Sequence, residues 1–272
     1  MFKWFLLIAG VGLFYLWIKG KKQAAVNTEY ALKPNKNKPE KAIAPEVMVQ
    51  CQCCKVHLPK SEALTYDNRF YCSKEHLHTL DANGWIGDAQ WRFSPNQDPR
   101  PENVDVDLVV IHHISLPPGE FRNKPSSEHI VDFFQNKLDP TEHPYFAQIA
   151  DQKVSSHFLV TRSGGLIQFV SAQSKAWHAG ISSFQGREKC NDFSIGIELE
   201  GDGDAPFEAA QYQTLTRLIT LLVRAHPHLQ FAGHSDIAPE RKTDPGIYFD
   251  WKKFQKETGI PAEKLPFGLG SR

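Results

Sequence analysis

A chain of 272 residues, 41% hydrophobic and 23% charged, has a globular composition and the length for one full domain plus a smaller attachment, which excludes disorder throughout. Lys and Arg number 31 and Asp and Glu 31, so the formal net charge at pH 7 is zero, and no long basic run carries interleaved aromatics. That excludes the electrostatic footprint of a nucleic-acid binder.

The first predicted element lies in "MFKWFLLIAGVGLFYLWIKGKK", uncharged from Trp4 to Ile18. At roughly 1.5 Å per residue a helix over Met1 to Ile18 would be about 27 Å long, just enough for a hydrocarbon core of about 30 Å. Trp17, Lys19, Lys21 and Lys22 suit an interfacial anchor, and no small-x-small cleavage site directly follows the run. Residues 1–20 therefore read as an uncleaved transmembrane anchor rather than a signal peptide. Seven lysines follow the apolar run up to Glu46, whereas only Lys3 precedes it. This bias places a single-pass protein in the cytoplasmic membrane with the rest of the chain facing the cytoplasm. Residues 21–46, broken by Pro34, Pro39 and Pro45, form a flexible linker.

Residues 47–80 hold four of the five cysteines. In "CQCCKVHLPKSEALTYDNRFYCSKEH", Cys51-x-x-Cys54 and Cys72-x-x-x-His76 supply two paired-ligand knuckles, the requirement of a closed structural Zn²⁺ site. Cys53 and His57 are possible substitutes in the set, and reduced cysteines without metal are the plain alternative. So few residues cannot bury a core of their own, and structural zinc supplies on the order of 10 kcal/mol of apparent binding energy. Clustered cysteines also fit a reducing compartment better than a disulfide framework. The segment resembles small zinc-knuckle proteins of proteobacteria that open with C-x-x-C-x-V-H-x-P.

From residue 85 to 272 the pattern is that of an α/β domain with a mixed β-sheet flanked by helices. Strands are predicted over Val104–Ile114, Ser156–Thr161, Leu166–Val170 and Ser194–Glu200, with Gly164-Gly165 as a hairpin turn. Helices are predicted over Ser127–Leu138 and Asp250–Thr258. A further helix in "EAAQYQTLTRLITLLVRAHP" buries Tyr212, Leu215, Leu218, Ile219 and Leu222.

The chemistry concentrates at the ends of apolar runs. "LVVIHHISLPPGEF" delivers His112 and His113 to a turn, and "AGHSDIAPERKTDPGIYFDW" ends a second run at His234 with Asp244 ten residues on. Two imidazoles and a carboxylate would make an open three-ligand site with a coordination position left for water. A lone strand-end histidine is more often a hydrogen-bonded structural residue, so spacing alone leaves both roles standing.

Three segments in order, "VIHHISLPPGEF", "AWHAGISSFQGREKCNDFSIGIELEG" and "GHSDIAPERKTDPGIYFDW", resemble the AmpD family of N-acetylmuramoyl-L-alanine amidases across roughly residues 91–258. The resemblance implies a zinc enzyme of peptidoglycan recycling. Its reaction would cut the amide between the lactyl group of an N-acetylmuramyl unit, 1,6-anhydro in form, and L-alanine of muropeptides. It implies His112, His234 and Asp244 as zinc ligands, Glu198 as general acid/base and Lys242 as oxyanion stabiliser. Arg241, Asn191, Trp177 and His113 are implied near the substrate. His178 reads as packing, and Glu200 as a solvent-facing strand-end carboxylate. His113 and Lys153 depart from the family pattern, which has Asn and Arg there. The alternatives are a periplasmic amidase acting on intact peptidoglycan, disfavoured by the cysteine cluster and charge asymmetry, and a non-catalytic muropeptide binder, disfavoured by the complete ligand set.

Overall fold

The computed structural model describes residues 46–121 and 127–270. The anchor expected over 1–20, and all of the linker but its last residue, lie outside them. Among the described residues no helix is long and apolar enough to cross a membrane.

The cysteine module is built from two hairpins and one helical turn: β1 (Met48–Gln50) with β2 (His57–Pro59), β3 (Leu64–Tyr66) with β4 (Arg69–Tyr71), then α1 (Lys74–Leu77). Asp67 and Asn68, both at positive φ, make the tight turn of the second hairpin. Ser73 caps α1 by accepting the His76 N–H. Short strands β5 (Gln90–Trp91) and β6 (Gln97–Pro99) follow. The described residues from Val47 onward pack as one compact unit that includes both the cysteine module and the segment from residue 85.

The principal elements after β6 are β7 (Leu108–Ile114), α2 (Ser127–Phe134), α3 (Phe146–Ile149), β8 (Phe158–Val160), β9 (Leu166–Gln168) and β10 (Ser174–Ala176). Then come β11 (Ser183–Phe184), β12 (Arg187–Glu188), β13 (Ser194–Glu200), α4 (Ala209–Ala225), β14 (Gln230–Gly233), α5 (His234–Ile237) and α6 (Trp251–Thr258). Six strands form one mixed sheet in the order β14-β7-β13-β8-β9-β5. The first four run parallel, β9 turns back against β8, and β5 lies parallel to β9 at the edge.

Strands inside the sheet are buried on both faces, so β7 opens with the apolar run "LVVI", and β13, "SIGIELE", is buried along its whole length, its two glutamates included. One face packs Val109, Ile111, Ile195, Ile197 and Leu199 against Leu215, Leu218, Ile219 and Leu222 of α4 and Trp251 and Phe254 of α6. On the other, Leu159, Ile167 and Phe169 meet Ile130, Val131, Phe133 and Phe134 of α2 and Phe146 and Ile149 of α3. The sheet is thus mixed and flanked by helices, as the patterning predicts.

Candidate active site

Register assembles the site. In the parallel pairing of β7 with β13, His112 lies directly opposite Glu198, so both side chains leave the same face. On the other flank Gly233 pairs with Ile111, and His234, the next residue, opens α5 beside the end of β7. His234 therefore follows a strand rather than ending one. Three neighbouring parallel strands thus deliver Glu198, His112 and His234 to their carboxyl ends, where open α/β sheets form their crevices. Gly233 admits the loop that returns: a Cβ there would come within 2.7 Å of Pro245 Cδ. The Ser235 N–H donates to the Asp244 carbonyl at 2.8 Å, and this fixes the carboxylate over the imidazoles.

His112 Nδ1 lies 3.0 Å from His234 Nδ1 and 2.9 Å from Asp244 Oδ2, and His234 Nδ1 lies 3.1 Å from the same oxygen. Ligands held at about 2.0–2.1 Å from a tetrahedral zinc sit roughly 3.3 Å apart, close to this triangle. All three residues are buried. Burial and the His234 charge bring His112 down to about 4 against the pull of Asp244. Burial opposes ionisation of Asp244, but hydrogen bonds to the two histidines outweigh it and hold the carboxyl below its ordinary range. Three lone-pair donors therefore converge, the donor set an open zinc site needs.

The second imidazole nitrogens are also engaged. His112 Nε2 lies 3.0 Å from His178 Nδ1, His178 Nε2 lies 3.1 Å from Ser194 Oγ, and His234 Nε2 lies 3.0 Å from the Ala179 carbonyl. His178 is thus more than packing. A Cβ on Gly196 would reach within 2.5 Å of its ring, so the glycine of "SIGIE" is what makes room for it. The sequence carried that signal only as a histidine and a glycine in separate motifs.

Glu198 is buried, with Oε2 lacking a hydrogen-bond partner among the described residues. Burial, then the Asp244 charge, pushes its carboxyl well above the usual range, while Lys242 pulls the other way. A carboxyl poised to hold a proton is what a general acid/base requires. Glu200, expected to face solvent, is instead 1% exposed and accepts the Arg162 N–H at 2.9 Å. Alternation sends it to the same face as Glu198, one pleat further on, where protein covers it.

A cleft of about 400 Å³ is lined by the three donors, Glu198, Lys242, Arg241, His113, Trp177 and His178, with Phe133 and Phe134 among its apolar walls. Trp177 Nε1 donates to Asp98 at 2.8 Å. Arg241 Nη2 donates to the Ala179 and Ile181 carbonyls at 2.6 and 2.7 Å, bracing the loop after Trp177. Asn191 is not among the lining residues: its Oδ1 accepts the N–H groups of His178 and Ala179 at 3.1 and 2.8 Å, so it holds that loop from behind.

The second cluster gathers Cys51, Cys54, Cys72 and His76, with their ligand atoms all within 4.8 Å of one another. Cys54 and Cys72 Sγ lie 3.8 Å apart, and His76 Nδ1 lies 3.1 Å from Cys72 Sγ and 3.8 Å from Cys51 Sγ. Thiolates at about 2.3 Å and an imidazole at about 2.0 Å from one zinc would stand roughly 3.5–3.8 Å apart. Burial raises Cys51, but backbone N–H groups of Cys54, Cys72 and Cys53 outweigh it and bring the thiol down to about 6. Cys53 and His57 stay outside the group.

A buried carboxyl held above its usual range stands beside three convergent donors at the carboxyl ends of parallel strands, an arrangement suited to hydrolysis. The sequence profile of N-acetylmuramoyl-L-alanine amidases matches residues 102–247, and the chain belongs to this family. It is 49% identical over 174 residues to the 1,6-anhydro-N-acetylmuramyl-L-alanine amidase AmpD of Haemophilus influenzae, covering 63% of this chain and 92% of that protein. The AmpD of Escherichia coli is 47% identical over 174 residues, 63% of this chain and 93% of that one. The crystal structure of a selenomethionine AmpD derivative superposes with a TM-score of 0.62 at 47% identity, covering 64% of this chain and 97% of that one.

Proposed function

We propose that the chain hydrolyses the amide joining the lactyl group of 1,6-anhydro-N-acetylmuramyl units to L-alanine in muropeptides, in cell-wall recycling. The observation that carries the reading is the convergence of His112, His234 and Asp244 beside Glu198 in one cleft. Similarity to AmpD enzymes over nearly their whole length supports the substrate class.

His112, His234 and Asp244 would hold zinc, which supplies Lewis acidity to polarise the amide carbonyl and ease the ionisation of water. Glu198 takes the proton of the attacking water at its carboxylate and returns it to the departing L-alanine nitrogen. Lys242, which lines the same cleft, would stabilise the oxygen on which negative charge develops. Trp177, His113 and the guanidinium of Arg241 border the space left for sugar and peptide.

The reading includes a second zinc on Cys51, Cys54, Cys72 and His76, closed by four protein ligands, in a module fused ahead of the amidase domain. It also includes an anchor over residues 1–20 that holds the enzyme at the inner face of the cytoplasmic membrane, supported by the lysine asymmetry. Digestion of the amidase domain by protease added outside intact spheroplasts would reverse that orientation.

The test of activity is incubation with an anhydromuropeptide and, separately, with intact sacculi. Release of L-alanyl peptide from the first and not the second is expected. Release from sacculi alone would move the substrate to intact wall.

A further inference from the structure

The edge of the main sheet is unusually slight. Among the described residues strand β5, of two residues, Gln90 and Trp91, pairs only with β9, to which the Arg92 N–H adds one bond at the Gln168 carbonyl, 2.9 Å. Such an edge needs cover, since a two-residue ladder contributes little by itself and an open edge invites mispairing.

The cover comes from the cysteine module. In β4, immediately before Cys72, Tyr71 is buried and its hydroxyl donates to the Gly87 carbonyl at 3.1 Å. A Cβ on Gly87 would meet the Leu77 carbonyl oxygen at 2.4 Å and Tyr71 Cε1 at 2.9 Å, so the two backbones lie flush. Arg69 Nη2 donates to the Ala89 carbonyl at 2.5 Å, and the guanidinium lies 3.8 Å from the centre of the Trp91 ring. Asp88 is shared: His78, just past α1, sits 2.9 Å from its Oδ2, which also receives Arg217 of α4.

The other side of this segment belongs to the amidase. The Ile86 N–H donates to Gln168 Oε1 at 2.9 Å, Gln168 Nε2 donates to the Gly84 carbonyl at 2.7 Å, and Ile86 and Ala89 sit in the main core. Residues 84–92 are thus held between the module and β9. The module side runs through β4 and α1: Cys72 directly follows β4, His76 lies in α1, and their ligand atoms meet those of Cys51 and Cys54 within 4.8 Å.

Resting on the second-zinc reading, we infer that the ion held by Cys51, Cys54, Cys72 and His76 locks the module as a cap over the β5 edge of the amidase sheet. The module is then a metal-dependent part of the catalytic unit's scaffold, and loss of that ion is transmitted to residues 84–92.

The test is hydrogen exchange on the zinc-loaded full chain, with zinc content measured on each sample. Cys54→Ser with Cys72→Ser is expected to lose one of two zinc ions and to speed exchange in residues 84–92 at least about tenfold, with the centre of β13 unchanged. Arg69→Ala, which touches no zinc ligand, is expected to keep both ions and speed exchange in the same residues. This second variant decides the matter if the double variant does not fold. Loss of one ion with unchanged exchange at 84–92, or unchanged exchange in Arg69→Ala, would overturn the cap while leaving the second zinc in place. One zinc in the unmodified chain, unaltered by the cysteine changes, would overturn the second-zinc reading itself.

Discussion

His112 can present Nδ1 to a metal only as the tautomer that keeps its proton on Nε2, and His178 selects that tautomer by accepting at Nδ1. Its own Nε2 proton then points at Ser194 Oγ. Replacing His178 by Phe is expected to weaken zinc binding at the His112 site about 10- to 100-fold, read by chelator competition, with the cysteine site still loaded. Unchanged affinity would remove this role. A neighbouring imidazole sets an acid limit. His157 Nδ1 accepts the Gly196 N–H at 3.0 Å, and burial, with the Arg100 charge, depresses the group to about 3. The native state therefore binds fewer protons than the unfolded one. The stability due to this group is complete above about 6.5, its unfolded value, and is lost as pH falls toward the depressed value. His157→Asn, which keeps an acceptor near Nδ1, is expected to flatten the pH slope of the unfolding free energy from urea titrations between these limits by up to about 1.4 kcal/mol per pH unit. An unaltered slope would show that another group titrates there. His112, His234, Asp244 and Glu198 stood out in the sequence because each ends an apolar run or sits in a distinctive motif. The roles of His178 and Asn191 were not legible, since they depend on which backbone or ring lies opposite, and no spacing reports that.

At the scale of elements, periodicity was most informative where the core is one-sided. The stripe Tyr212, Leu215, Leu218, Ile219, Leu222 repeats at helical spacing, and all five residues are buried in α4. Glu208 and Gln211 close its first turn as a capping box. Leu218→Ala would leave a cavity between α4 and the sheet and is expected to cost about 2–5 kcal/mol in denaturant unfolding. A loss below about 0.5 kcal/mol, typical of surface positions, would contradict this packing. Strand β13 has the predicted bounds, whereas β7 begins at Leu108 rather than Val104, because Gln230, which opens β14, pairs with Leu108 and not earlier. The two-residue strands β5, β11 and β12 went unseen. Two residues carry no alternation, and only their partners make them strands.

At the scale of the whole molecule, the fold class was legible because two long apolar strands, a hairpin and an amphipathic helix admit few arrangements. The union of the cysteine module with the amidase was not, because it runs through Tyr71, Arg69 and Asp88, residues that look like ordinary hairpin and loop positions. The account as a whole turns on a division of labour in the cleft, with His112, His234 and Asp244 holding zinc and Glu198 carrying the proton. Glu198→Gln separates the two, since it removes the carrier and leaves the three donors untouched. Zinc content and the rate of L-alanyl peptide release from an anhydromuropeptide, measured on one preparation, should show unchanged metal and a rate lower by about 10² to 10⁴. A variant that keeps its zinc and a near-normal rate would contradict the assignment of Glu198 and, with it, the mechanism.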